Sequence, residues 1–106
     1  MKRIHIAINA SDIARSVADY TGRLGCAPSV VVPDEYALWL TPEVNFSIRR
    51  TADQAGLLRH LGWEDDTSSE FSQDTDVNGV VWERFSRELQ AKEIEDTWPD
   101  LIRTFF

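Results

Sequence analysis

Cysteine is nearly absent from this chain of 106 residues: Cys26 stands alone, so no internal disulfide can form and no cysteine-rich zinc site can be assembled. A lone Cys just after a helical stretch is read as a small packed residue and not as a reactive thiol. Long apolar runs are missing too. No stretch reaches the roughly 20 residues that span a bilayer, and the opening Met1-Lys2-Arg3-Ile4-His5 has neither the apolar core nor the cleavage site of a signal peptide. No membrane partner is expected, and the expected compartment is the cytoplasm. Basic side chains are outnumbered: 11 Lys and Arg against 18 Asp and Glu leave a net charge of −7, which repels phosphate backbones and argues against nucleic acid as a partner. Histidine is sparse, with only His5 and His60.

What is present is enough to fold. With 42% hydrophobic and 27% charged residues the composition is that of a globular protein, and 106 residues leave no room for a second core, so one domain over 1–106 is expected. Residues 3 to 9 alternate Ile4, Ile6 and Ile8 against His5, Ala7 and Asn9, the period-2 pattern of a strand with two unlike faces. Ser11 then offers an N-cap, and Ile13, Val17, Tyr20 and Leu24 recur at helical spacing until Gly25 stops the helix. Three short β-rich stretches follow, Ser29 to Val32, Tyr36 to Leu40 and Val44 to Ile48, with connections short enough to favour antiparallel neighbours.

The first 50 residues thus read as one complete βαβββ module of an α+β fold with an antiparallel or mixed, curved sheet. Further strands are predicted over Leu57 to Glu64, with Leu58, His60 and Gly62 on one face, and over Gly79 to Phe85, with Val81, Glu83 and Phe85 on one face. The polar stretch from Asp65 to Asn78 reads as loop. From Ser86 onward Leu89, Ile94 and Trp98 suggest an amphipathic helix, which Pro99 interrupts before an apolar tail (Leu101, Ile102, Phe105, Phe106) that should dock on the domain or on a partner.

His5, His60 and Glu83 each fall on a separate predicted strand, where one sheet could bring them together. Two imidazoles and a carboxylate with open positions suit non-haem iron and related divalent metals. On spacing alone, hydrogen-bonded or solvated strand residues are the plainer reading, because no short His-x-x-His type motif is present.

Three segments add a resemblance: the Ile4-His5-Ile6-Ala7 strand with Asn9-Ala10-Ser11-Asp12 and a helix ending Leu24-Gly25; Gly56-Leu57-Leu58-Arg59-His60-Leu61-Gly62; and Asp76-Val77-Asn78-Gly79-Val80-Val81-Trp82-Glu83-Arg84-Phe85. Together they resemble the vicinal oxygen chelate superfamily (glyoxalase, bleomycin resistance, extradiol dioxygenase), nearest to its carbon–arsenic lyase and cadmium-induced-protein subgroup. The resemblance implies two βαβββ modules curved around a divalent metal (Fe, Ni, Mn or Zn) held by His5, His60 and Glu83.

The chain departs from that pattern. Only 22 residues separate His60 from Glu83, whereas the strand, helix and loops of a full module need well over roughly 30. Residues 57–106 therefore read as a truncated second module plus a helical tail. Its cavity could be open, filled by the Leu89 to Phe106 segment, or completed by a second chain. The subgroup's thiol pair would fall in the missing part and Cys26 does not replace it, so arsenic chemistry is not carried over.

Asp74-Thr75-Asp76-Val77-Asn78-Gly79 matches half of a calcium loop, but Phe85 stands where the bidentate Glu belongs, and a turn opening the last strand fits better. Trp39, Trp63, Trp82, Phe46 and Phe85 read as core ahead of cavity lining. No hydroxyl has a His or Lys at a spacing that supports covalent catalysis.

Three functions follow: a metal-dependent lyase, isomerase or dioxygenase acting on a small molecule; a non-catalytic binding or resistance protein of the same fold; or a degenerate paralogue with an assembly role. A homodimer is expected under each, since a truncated module leaves a sheet edge and an apolar face unprotected.

Overall fold

The computed structural model describes residues 2–99. It is an α+β structure in which one seven-stranded mixed sheet carries two helices. The elements are β1 (Lys2–Ala10), α1 (Ile13–Leu24), β2 (Val30–Val32), β3 (Tyr36–Leu40), β4 (Val44–Arg50), β5 (Leu58–Asp65), β6 (Ser72–Thr75), β7 (Val81–Phe85) and α2 (Arg87–Thr97). The strand order is β2-β3-β4-β1-β5-β7-β6.

Two half-sheets meet at an antiparallel seam between β1 and β5. In the first half β1 runs parallel to β4, and β3 and β2 follow antiparallel. In the second half β5 runs parallel to β7, with β6 antiparallel beyond it. The second half thus repeats the first with one strand fewer and no helix between its first two strands.

α1 starts because Asp12, in extended conformation, accepts the Arg15 amide at 3.0 Å on its carboxylate. The expected Ser11 cap is corrected by one residue: Asp caps as well as Ser, and the backbone turns helical only at Ile13. Gly25 ends the helix at φ 76, a conformation a side chain resists. The chain there turns outward, so Cys26 is exposed and not packed as expected.

α1 covers one face of the first half-sheet. Ile13, Val17, Tyr20 and Leu24 pack there on Ile8, Ala37, Trp39, Phe46 and Ile48. α2, capped by Ser86 through the Leu89 amide at 3.2 Å, covers the opposite face. Its Ile94, with Trp98 just beyond the helix, closes on Val30, Val32, Tyr36 and Leu38. As far as Trp98, the C-terminal segment walls the cavity on this face and leaves part of it open. The burial of Trp39 and Phe85 fits their reading as core, whereas Trp63, Trp82 and Phe46 are half-buried.

The stretch from Asp65 to Asn78 is not all loop. Ser72–Thr75 forms the edge strand β6, each residue exposed and paired on one side to β7. Four polar residues in a row carry no apolar alternation, so pairing with β7, not burial, makes them a strand. The Asp76 carboxylate accepts the Asn78 and Val80 amides and the Trp82 indole, at 2.8 to 2.9 Å. With Gly79 at φ 81 that is a turn opening the last strand, as read from the sequence. No helix among the described residues is long and apolar enough to cross a membrane. The expected docking of Leu101, Ile102, Phe105 and Phe106 lies outside the described residues.

Candidate metal centre

The seam between the half-sheets brings the three candidate ligands together. His5 on β1 lies opposite Gly62 of β5, and Ala7 lies opposite His60, so the two histidines are diagonal neighbours on one face. Gly62 also lies opposite Glu83 of β7. The residue at the centre of the triangle therefore has no side chain, and nothing separates the imidazoles from the carboxylate. His5 Nε2 and His60 Nε2 are 3.0 Å apart, and His60 Nε2 is 3.0 Å from Glu83 Oε1. All three ligand atoms lie within 4.8 Å of one another.

A buried chain of polar groups fixes which His5 nitrogen faces this centre. Arg3 donates through one terminal nitrogen to both Glu64 carboxylate oxygens at 2.7 Å. Glu64 Oε1 accepts from Asn45 Nδ2 at 2.8 Å. A carboxylate can only accept, so the Asn45 amide must turn its nitrogen to Glu64 and its oxygen to His5. That oxygen lies 2.8 Å from His5 Nδ1, which therefore carries the proton and leaves the Nε2 lone pair aimed at the centre. Gln90 of α2 locks the arrangement by pairing with the same amide at 2.8 and 3.2 Å. Partners of this kind, which orient a ligating imidazole from behind, are what a metal site requires.

Electrostatics agree with the geometry. Burial pushes the His5 imidazole down from 6.5 to about 4, aided by His60 and opposed by the Asn45 hydrogen bond and Glu83. His5 is thus neutral at physiological pH, the form that ligates a metal. Between 6.5 and about 4 the unfolded chain takes up a proton that the folded, metal-free chain refuses. This group's contribution is complete above the upper value, and about 3 kcal/mol is expected to be lost as pH falls through the window. Urea titrations of the metal-free protein between pH 7 and 4 check this against His5→Gln, expected to show a shallower fall; equal slopes would contradict it.

The donor set fits a divalent ion. At bond lengths of about 2.1 Å, adjacent donors on an octahedral ion stand about 3 Å apart, which is the spacing of the two contacts at His60. Two neutral nitrogens and one anionic oxygen also match the borderline metals that take imidazole and carboxylate together. Beside the centre is a cavity of about 150 Å³, walled by Tyr36, Ser47, Arg49, Arg59 and Trp98.

The structure brings together all three residues named from the sequence. The supporting residues were not named, although a period-2 reading of Arg3-x-His5 and of His60-x-Gly62-x-Glu64 puts them on one face. Arg59 carries no such signal: a register shift pairs Ala7 with His60 but Ile8 with Leu58, so Arg59 is the bulged residue between them. Comparison with family models and with curated proteins gives no match to this chain.

Proposed function

We propose that this chain is a divalent-metal protein of the vicinal oxygen chelate type, acting on a small molecule in the cytoplasm as a lyase, isomerase or dioxygenase. The observation that supports it is the convergence of His5 Nε2, His60 Nε2 and Glu83 Oε1 with a supporting hydrogen-bond chain behind His5. A bound dication would supply Lewis acidity toward substrate oxygens at the positions the protein leaves open. The protein's part is to hold the donors in place. Asn45 keeps the proton on His5 Nδ1, Glu83 supplies the one negative charge of the donor set, and α2 shields the face from water. A cavity of about 150 Å³ has room for a molecule near the size of benzene.

Elemental analysis of the purified parent and of a His5→Ala, His60→Ala double variant tests the proposal. Close to one equivalent of iron, nickel, manganese or zinc per chain is expected in the parent after reconstitution, and essentially none in the variant. A parent that takes up no metal would overturn the proposal.

A non-catalytic role in ligand binding or assembly is the second reading. It is favoured by the way Gln90, Ile94 and Trp98 of the C-terminal segment occupy much of the face where a larger substrate would lie. Under it the same metal analysis returns an empty parent.

A further inference from the structure

The cavity beside the metal centre is lined by two arginines and two carboxylates, Glu83 and Glu93, and among the described residues neither arginine is in direct contact with either carboxylate. Arg49 projects from β4 and Arg59 from the bulge in β5, and both line the cavity with His5, His60 and Glu83. In an unbroken strand Arg59 would face away from its neighbour His60, so the bulge turns it to the same side. The Arg49 guanidinium rests 5.1 Å over the Trp98 ring, which orients it by stacking while leaving its N–H edge free.

Among the described residues neither arginine forms a hydrogen bond or an ion pair within 4.0 Å. Glu83, which lies 3.0 Å from His60, and Glu93 act on Arg59 through charge alone, without a hydrogen bond or ion pair to it. Two partly buried guanidinium groups whose N–H groups meet no acceptor leave hydrogen-bonding capacity that a ligand can take up.

We infer that this cavity selects a small carboxylate, gripped by the guanidinium groups of Arg49 and Arg59 while its other end faces the His5, His60 and Glu83 donors. The inference rests on the metal reading only for that last contact. A guanidinium presents parallel N–H groups that match the two oxygens of a carboxylate, and about 150 Å³ fits a molecule of only a few heavy atoms. The arginines would fix its orientation and reject uncharged molecules of equal size, since a neutral occupant leaves both guanidinium groups desolvated and unpaired.

Titration calorimetry of the full chain with oxalate and with oxamide, which are similar in size and differ in charge, tests this. Chelator-treated and zinc-loaded protein are both measured, for the parent, Arg59→Gln, Arg49→Gln and Arg59→Lys. The parent is expected to prefer oxalate at least about tenfold even without zinc, each Gln variant to lose about tenfold in oxalate affinity only, and Arg59→Lys to recover part of it.

Circular dichroism verifies each fold, and should Arg59→Gln not fold, Arg49→Gln carries the comparison. Equal binding of oxalate and oxamide, or oxalate binding indifferent to both arginines, would overturn the inference. Arginine-dependent oxalate binding by a chain that takes up no zinc would support it while sinking the metal reading. Zinc uptake with arginine-independent oxalate binding would do the reverse.

Discussion

Gly62→Ala is expected to lower the melting temperature by roughly 15 °C, corresponding to about 3 kcal/mol for a domain of this size. A methyl group at this position would overlap the backbone carbonyl oxygen of Glu83 and sit 3.1 Å from the Glu83 nitrogen. The obstructing atoms are all backbone, so no side chain can rotate aside. Relief requires β5 and β7 to move apart, and those strands carry His60 and Glu83. Metal uptake is therefore expected to fall along with stability. Gly22→Ala supplies the contrast: its methyl group meets nothing within 4 Å on α1, and Ala is favoured over Gly in a helix by about 0.5–1 kcal/mol. Thermal melts of the two variants should thus move in opposite directions, and a Gly62→Ala protein as stable as the parent would contradict the packing described at the seam.

Asn45→Leu is expected to weaken metal binding 10- to 100-fold and to cost about 3 kcal/mol in stability. The side chain is fully buried and uses both ends of its amide, accepting from His5 and Gln90 and donating to Glu64 and Gln90. Leucine fills similar volume but leaves the Glu64 carboxylate short of a donor and frees the His5 ring to turn. Asn45→Asp separates the two effects. An aspartate still accepts from His5 Nδ1, so metal affinity should stay close to that of the parent. It places a second carboxylate 2.8 Å from Glu64 Oε1, so stability should drop at neutral pH and recover as the pair takes up a proton. Competition titrations with a chromophoric chelator, beside urea unfolding at pH 5 and 7, measure both. Leu and Asp variants of equal metal affinity would show that Asn45 does not orient His5.

The elements that the sequence made visible are those whose hydrophobic period repeats. The Ile4, Ile6, Ile8 alternation marked β1 correctly, and the spacing of Ile13, Val17, Tyr20 and Leu24 marked α1. Alternation did not say which face of β1 would be sealed. The more buried one carries Arg3, His5, Ala7 and Asn9, while the isoleucines stay half-exposed. A polar face becomes interior only because partners from outside the strand satisfy it, and those partners lie 38 to 61 residues away in sequence.

β6 was hidden for the opposite reason: an exposed edge strand needs only backbone pairing, so its side chains record nothing. The expected cap, Ser11, and the observed cap, Asp12, are adjacent and cap equally well, so backbone geometry alone decides between them. Of the site, the candidate ligands were legible as the only two histidines and a carboxylate on strands. Arg59 was not, because a one-residue bulge reverses the face on which it falls.

Crystallography of the zinc- or nickel-loaded protein with anomalous scattering tests the central claim most directly. One ion is expected, bonded at about 2.1 Å to Nε2 of His5, Nε2 of His60 and the Glu83 carboxylate, with His5 Nδ1 still bonded to Asn45. An ion lodged elsewhere, or two imidazoles left in direct 3.0 Å contact under saturating metal, would contradict it.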